Sequence, residues 1–156
     1  MRPEKLWWYS TVLHRKRLPL LAKVLVWLNY QIYKADLPAE CNIQPDIKLF
    51  HRGLGVVINP EVTIGKGVRI VHNVTVGVVT NPGDDRRGAV VIEDNVRIGV
   101  GAVVLAGPGK TLTLGEGCQI GAMAYVRRDV VAGDVVVAPV AQSLVGLARK
   151  GNSYCG

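Results

Sequence analysis

Apolar residues return every six positions through most of this 156-residue chain. Val62, Val68 and Val74 carry one series, and Ile64, Ile70 and Val76 carry a second, two positions later. The pattern resumes at Val96 with Ile98, at Ala102 with Val104, and then at Leu114, Ile120 and Val126. Gly65, Gly77, Gly99, Gly115 and Gly121 each follow directly on a residue of the beat. A helix repeats every 3.6 residues and an ordinary strand every two, so six belongs to neither. It does belong to a solenoid of short parallel strands, in which each hexad forms one flat face and one turn. The spacing therefore predicts an all-β solenoid over residues 36–140.

Composition supports a core of small branched side chains. Hydrophobic residues make up 49% of the chain but aromatics only 6%, and 18 glycines are available for tight corners. The formal charge of +7 is uneven. Arg2, Lys5, Arg15, Lys16, Arg17, Lys23 and Lys34 lie in the first 34 residues against Glu4 alone. These cations flank an apolar segment rather than covering a folded face with interleaved aromatics, which excludes a nucleic-acid reading. They suit an anionic ligand or a membrane surface. Cys41, Cys118 and Cys155 show neither paired nor metal-type spacing, which points to a reducing compartment with no metal. No signal peptide is recognisable. The apolar run from Leu18 to Leu28 is broken by Lys23 and too short to span a bilayer. A cytoplasmic chain is expected.

Residues 1–35 read as a helical arm. Pro19 can open a helix, and Leu20, Leu21, Val24, Leu25, Leu28 and Ile32 follow at helical spacings. That apolar face either packs on the solenoid end or a neighbouring subunit, or lies at a membrane interface. Two polar or glycine-rich excursions interrupt the beat, Val79 to Gly88 and Ala106 to Lys110. Both read as loops projecting from the solenoid, where function tends to sit. Residues 141–156 lose the period and read as a cap and tail. The flat apolar sides of such a stack favour subunit packing, and a homotrimer is expected.

Three histidines are present. His14 lies in the basic arm and reads as solvated. His51 lies beside Gly53 and Gly55, and either marks a structural corner or acts as a general base. Asp36, fifteen residues upstream, is a candidate to orient it, since fifteen is near one turn of three hexads. His72 either lines an acceptor pocket or sits at a corner as a polar surface residue.

The stretch Asp36-Leu-Pro-Ala-Glu-Cys-Asn-Ile resembles the first coil of the serine acetyltransferases and of related sugar and polysaccharide acetyltransferases, Asp-Ile-x-Pro-x-Ala-x-Ile. His51-Arg-Gly-Leu-Gly-Val-Val-Ile is similar to their His-x-x-Gly-Ile-Val-Ile motif. Val68-Arg-Ile-Val-His-Asn-Val-Thr-Val-Gly, Val96-Arg-Ile-Gly-Val-Gly-Ala and Gln119-Ile-Gly-Ala resemble later coils of that group. The resemblance covers about two thirds of the chain. It implies a left-handed parallel β-helix of hexapeptide repeats and an acetyl-CoA-dependent O-acetyltransferase. His51 would be the general base and Asp36 its orienting partner. Gly99, Val100, Gly101, Gly121 and Ala122 would lie along the pantetheine arm of acetyl-CoA. Arg127 is a candidate for the coenzyme phosphates, as are Arg128 and Lys150, on charge and location alone.

Three departures bear on the acceptor. Phe50 stands where serine acetyltransferases usually carry an acidic residue. The first loop reads Gly83-Asp-Asp-Arg-Arg-Gly, without the histidine of their Gly-Asp-Arg-His-Pro. Their long N-terminal helical domain is reduced to a short arm. These points favour a hydroxyl of a sugar or polysaccharide precursor, with His72, Arg86 and Arg87 as acceptor-binding candidates and the arm peripheral to the inner face of the membrane. Serine is the alternative acceptor, and a non-catalytic scaffold the alternative role. A zinc hydratase on this fold would need three histidines, and the repeats hold two.

Overall fold

The computed structural model describes residues 2–80, 82–83 and 86–139. The expected cap and tail over 141–156, with Lys150 and Cys155, lie outside the described residues.

The arm is two helices, α1 (Pro3–Arg15) and α2 (Pro19–Tyr33), each with proline in its first turn. There the missing N–H leaves no hydrogen bond unmade. Arg17, at φ 59, turns the chain between them, and α2 ends on Lys34 in the left-handed region. Within this chain most of the apolar stripe read from sequence stays exposed, with Leu25 and Leu28 half-buried. Leu20 is 78% exposed and Ile32 60%, while α1 buries Leu6 and Trp7 completely or nearly so. The Trp7 indole Nε1 donates to the Pro38 carbonyl at 2.8 Å, fixing α1 to the first coil. Asn29 ties α2 to α1 through a 3.1 Å bond to the Pro3 carbonyl.

Among the described residues thirteen short strands follow: β1 (Asn42–Ile43), β2 (Lys48–Leu49), β3 (Val57–Ile58), β4 (Val62–Ile64), β5 (Arg69–Ile70), β6 (Thr75–Val78), β7 (Ala89–Ile92), β8 (Arg97–Ile98), β9 (Val103–Ala106), β10 (Thr111–Leu114), β11 (Gln119–Ile120), β12 (Tyr125–Val126) and β13 (Val135–Val136). They wind into three parallel sheets. The first sheet runs β1-β4-β7-β10, the second β2-β5-β8-β11-β13 and the third β3-β6-β9-β12. Each coil contributes one strand to each side of a prism.

The six-residue beat is the interior of this prism. Leu49, Ile70, Ile98 and Ile120 form one buried column, Ile58, Val76, Val104 and Val126 another, and Ile43, Ile64, Ile92 and Leu114 a third. Residues two positions earlier, such as Val62, Val68 and Val74, fill the corners. Cys118 continues the corner column of Ile47, Val68 and Val96. Each fully buried side chain of this size contributes about 1.5–3 kcal/mol, so the columns dominate the stability of the fold.

Register shows what the excursions do. Val57 pairs with Thr75, eighteen positions on. Thr75 pairs with Val103, ten positions further than that step, and Val103 with Tyr125, four further. The two loops absorb these extra residues and leave the ladder intact. A third insertion was not read from the sequence. Lys48 pairs with Arg69, twenty-one positions on, and the three surplus residues lie in the turn that carries His51.

Candidate active site

One corner of the prism, between the second and third sheets, collects the residues singled out by sequence. His51 follows β2, His72 follows β5, Gly99, Val100 and Gly101 follow β8, and Gly121 and Ala122 follow β11. Backbone bonds tie successive turns of this corner together: Asn73 N–H to the Leu54 carbonyl at 2.8 Å, Gly101 to His72 at 3.2 Å, and Met123 to Val100 at 2.8 Å.

The His51 turn is backbone held away from its ordinary conformations. His51 (φ 51, ψ 35) and Arg52 (φ 61, ψ 22) are both left-handed, followed by positive φ at Gly53 and Gly55. A non-glycine residue there costs on the order of 1–2 kcal/mol, and strain of this kind concentrates at functional sites. Its effect is to project the imidazole outward from the corner. A Cβ on Gly55 would run into the Asn73 side chain and sit at φ +67. Gly55→Ala is therefore expected to destabilise the fold by about 1–2 kcal/mol, read as a lowered urea midpoint with unchanged slope.

His51 and His72 meet edge to face, ring centroids 4.7 Å apart at 81°. The Nδ1 of His72 is buried and has no hydrogen-bond partner. Asp36 is placed differently from the sequence expectation. Because the coil is twenty-one residues long, the residue bridged to Asp36 is Val57, not His51. Its N–H donates to the Val56 carbonyl at 2.9 Å, and the residue borders a cleft beside α2 with His14, Trp27 and Tyr30. No hydrogen bond or ion pair joins Asp36 to His51 among the described residues.

A groove of about 380 Å³ runs beside the corner, lined by Phe50, Val71, Gly99, Ile120 and Gly121, with Arg69 and Arg97 on its wall. The glycines serve the coil stack: a Cβ on Gly99 would lie 2.7 Å from the Ala122 nitrogen, and one on Gly121 2.9 Å from the Val136 carbonyl oxygen. Arg69 and Arg97 were missed in the sequence because the ten-residue loop hides their shared place in the hexad. Arg127 lies elsewhere. It follows β12 at the next corner and lines a second cleft, of about 410 Å³, with Lys110, Arg128 and Asp129. Both loops project from that next corner, where Arg86 packs on Gly109. Arg86 and Arg87 are exposed there, apart from His51 within one chain.

Neither described cysteine offers a thiolate. Burial pushes the Cys41 thiol up to about 12, and its sulfur donates to the Asn59 carbonyl at 3.2 Å. Burial likewise raises Cys118. Among the described residues no three His, Cys, Asp or Glu side chains converge, and no helix is long and apolar enough to cross a membrane.

The prism of three parallel sheets, stacked hexad by hexad, is a left-handed β-helix of hexapeptide repeats. No family model matches the chain. A plasmid-encoded serine acetyltransferase of Synechococcus elongatus is 32% identical over 131 residues, 80% of this chain and 40% of that protein. The serine acetyltransferase of Helicobacter pylori J99 is 33% identical over 110 residues, 60% of this chain and 64% of that protein. Among solved structures, serine acetyltransferase from Brucella abortus superposes with TM-score 0.75 over 87% of the chain and 52% of its own, at 22% identity. The Neisseria gonorrhoeae enzyme in complex with serine gives TM-score 0.72 at 25% identity, over 88% of the chain and 54% of its own. The chain is a serine acetyltransferase-like hexapeptide-repeat protein that spans less than two thirds of the length of these relatives.

Proposed function

We propose that the chain is an acetyl-CoA-dependent O-acetyltransferase that works by direct transfer. His51 takes the proton of the acceptor hydroxyl as its oxygen attacks the thioester carbonyl. Collapse of the tetrahedral intermediate then expels coenzyme A as the thiolate, which gains a proton. The observation that carries this reading is the strained turn that holds His51 outward at the head of a grooved corner. The raised thiols of Cys41 and Cys118 support attack without an acyl-enzyme. The Nδ1 of His72, buried and unpartnered, is a group that an acceptor or a bound water would satisfy. Asp36, fifteen residues before His51, is proposed to orient its imidazole.

The relatives favour serine over the sugar hydroxyl expected from the sequence, since those matched are serine acetyltransferases. A sugar acceptor stays as the second reading on one observation: Phe50 presents a 43% exposed ring to the groove. Coenzyme A release from acetyl-CoA, measured with serine and with simple sugars, decides between them. Serine-dependent release is expected. Release with sugars alone would return the acceptor to the second reading, and failure to bind coenzyme A at all would leave a scaffold.

A homotrimer belongs to this proposal, supported by the uncharged outward column of Val57, Thr75, Val103 and Tyr125. Peripheral membrane contact through α2 is supported by its exposed Leu20, Leu21, Val24 and Trp27 beside Lys23.

A further inference from the structure

The outward columns of the three sheets differ in charge. The first sheet shows Asn42, Thr63, Val91 and Thr113 in register, and the third Val57, Thr75, Val103 and Tyr125. The second shows Lys48, Arg69 and Arg97, then Gln119 and Val135. Neighbouring strands lie about 4.8 Å apart, so three like charges stand side by side, an arrangement that destabilises a sheet. Their side chains make no hydrogen bond or ion pair among the described residues.

Carboxylates stand at the corner just before this sheet, but they are committed to backbone amides. Asp46 accepts from Gly67 N–H at 2.8 Å, Asp94 from Lys66 at 2.7 Å, Glu93 from Glu116 at 2.8 Å and Asp134 from Val135 at 2.7 Å. The column thus keeps three adjacent like charges with no carboxylate hydrogen-bonded to them among the described residues, on the sheet whose face opens into the groove beside Gly99 and Gly121.

We propose that Arg69 and Arg97, with Lys48 beyond them, form an anion-binding rail that grips a phosphate or carboxylate of a small molecule lying in this groove. Guanidinium groups suit both anions through paired N–H donors. Naming that molecule as a substrate of acetyl transfer rests on the function proposed above; the anion site does not.

The first test uses inorganic pyrophosphate at fixed ionic strength. It is expected to raise the melting temperature of the wild type and to lose that effect in an Arg69→Gln/Arg97→Gln variant. The Arg69→Lys/Arg97→Lys variant should keep part of it. Without ligand, the Gln variant should melt no lower than wild type, because it relieves repulsion. Equal protection of wild type and the Gln variant, or no protection of either, overturns the proposal.

Calorimetry then separates the sources. Loss of coenzyme A affinity by about tenfold or more in the Gln variant, with pantetheine unchanged, assigns a phosphate. Weakened serine binding with coenzyme A unchanged assigns a carboxylate. Pyrophosphate protection through the rail, together with no coenzyme A binding by the wild type, would keep the site and overturn the acetyl-transfer reading.

Discussion

His51→Asn is expected to lower acetyl transfer by roughly 10²- to 10⁴-fold, the usual contribution of a positioned general base, while leaving the melting temperature close to wild type. Asparagine is the informative replacement because it tolerates the left-handed backbone that His51 occupies at φ 51, where alanine would add strain of its own. The His51 side chain is exposed, so its removal leaves no cavity. Steady-state kcat for coenzyme A release, with thermal melts of the same preparations, checks both halves. A wild-type rate in the variant would move the base elsewhere, and His72 is the next candidate because its ring lies 4.7 Å from that of His51. A large loss of stability would instead make the His51–His72 contact structural.

The second large effect is expected in the interior. Ile70→Ala should cost about 2–5 kcal/mol of unfolding free energy, a large share of the roughly 5–15 kcal/mol that a domain has. Ile70 is 0% exposed and stands between Leu49 and Ile98 in the column of the second sheet. Coils above and below are held at fixed spacing by backbone hydrogen bonds, so the vacated space cannot close. Thr63→Ala, on the outward side of β4, is the control and should stay within about 0.5 kcal/mol. Urea denaturation followed by circular dichroism measures both. A loss under about 1 kcal/mol for Ile70→Ala would mean that the coils collapse onto the gap.

Much of this fold is legible in the chain because one physical requirement repeats. Every coil must put a branched side chain inward at the same place, so Val62, Val68 and Val74 announce the prism without reference to anything distant. Two features escape for the complementary reason. The beat is silent between Leu49 and Val56, where three surplus residues build the His51 turn, and counting hexads from Asp36 therefore falls short: fifteen residues reach His51, but the bridge falls on Val57. Helical spacing in the arm identifies residues that share a face, not what that face meets. Leu20 and Val24 stay exposed within the chain, where Trp7 of α1 makes the contact with the first coil through its bond to Pro38. Arg69 and Arg97 look like scattered surface cations until the loop between them is discounted and their strands pair.

The loops carry a consequence for how a scaffold of this type changes its chemistry. Ten residues inserted after β6 and four after β9 leave the pairing of every later strand undisturbed. Doubling such a loop costs only about 0.6 kcal/mol in closure entropy. Length and sequence at that corner are thus free to drift independently of the coil that carries His51. Insertion and deletion can therefore remodel one edge of the molecule while the corner proposed for catalysis stays in register.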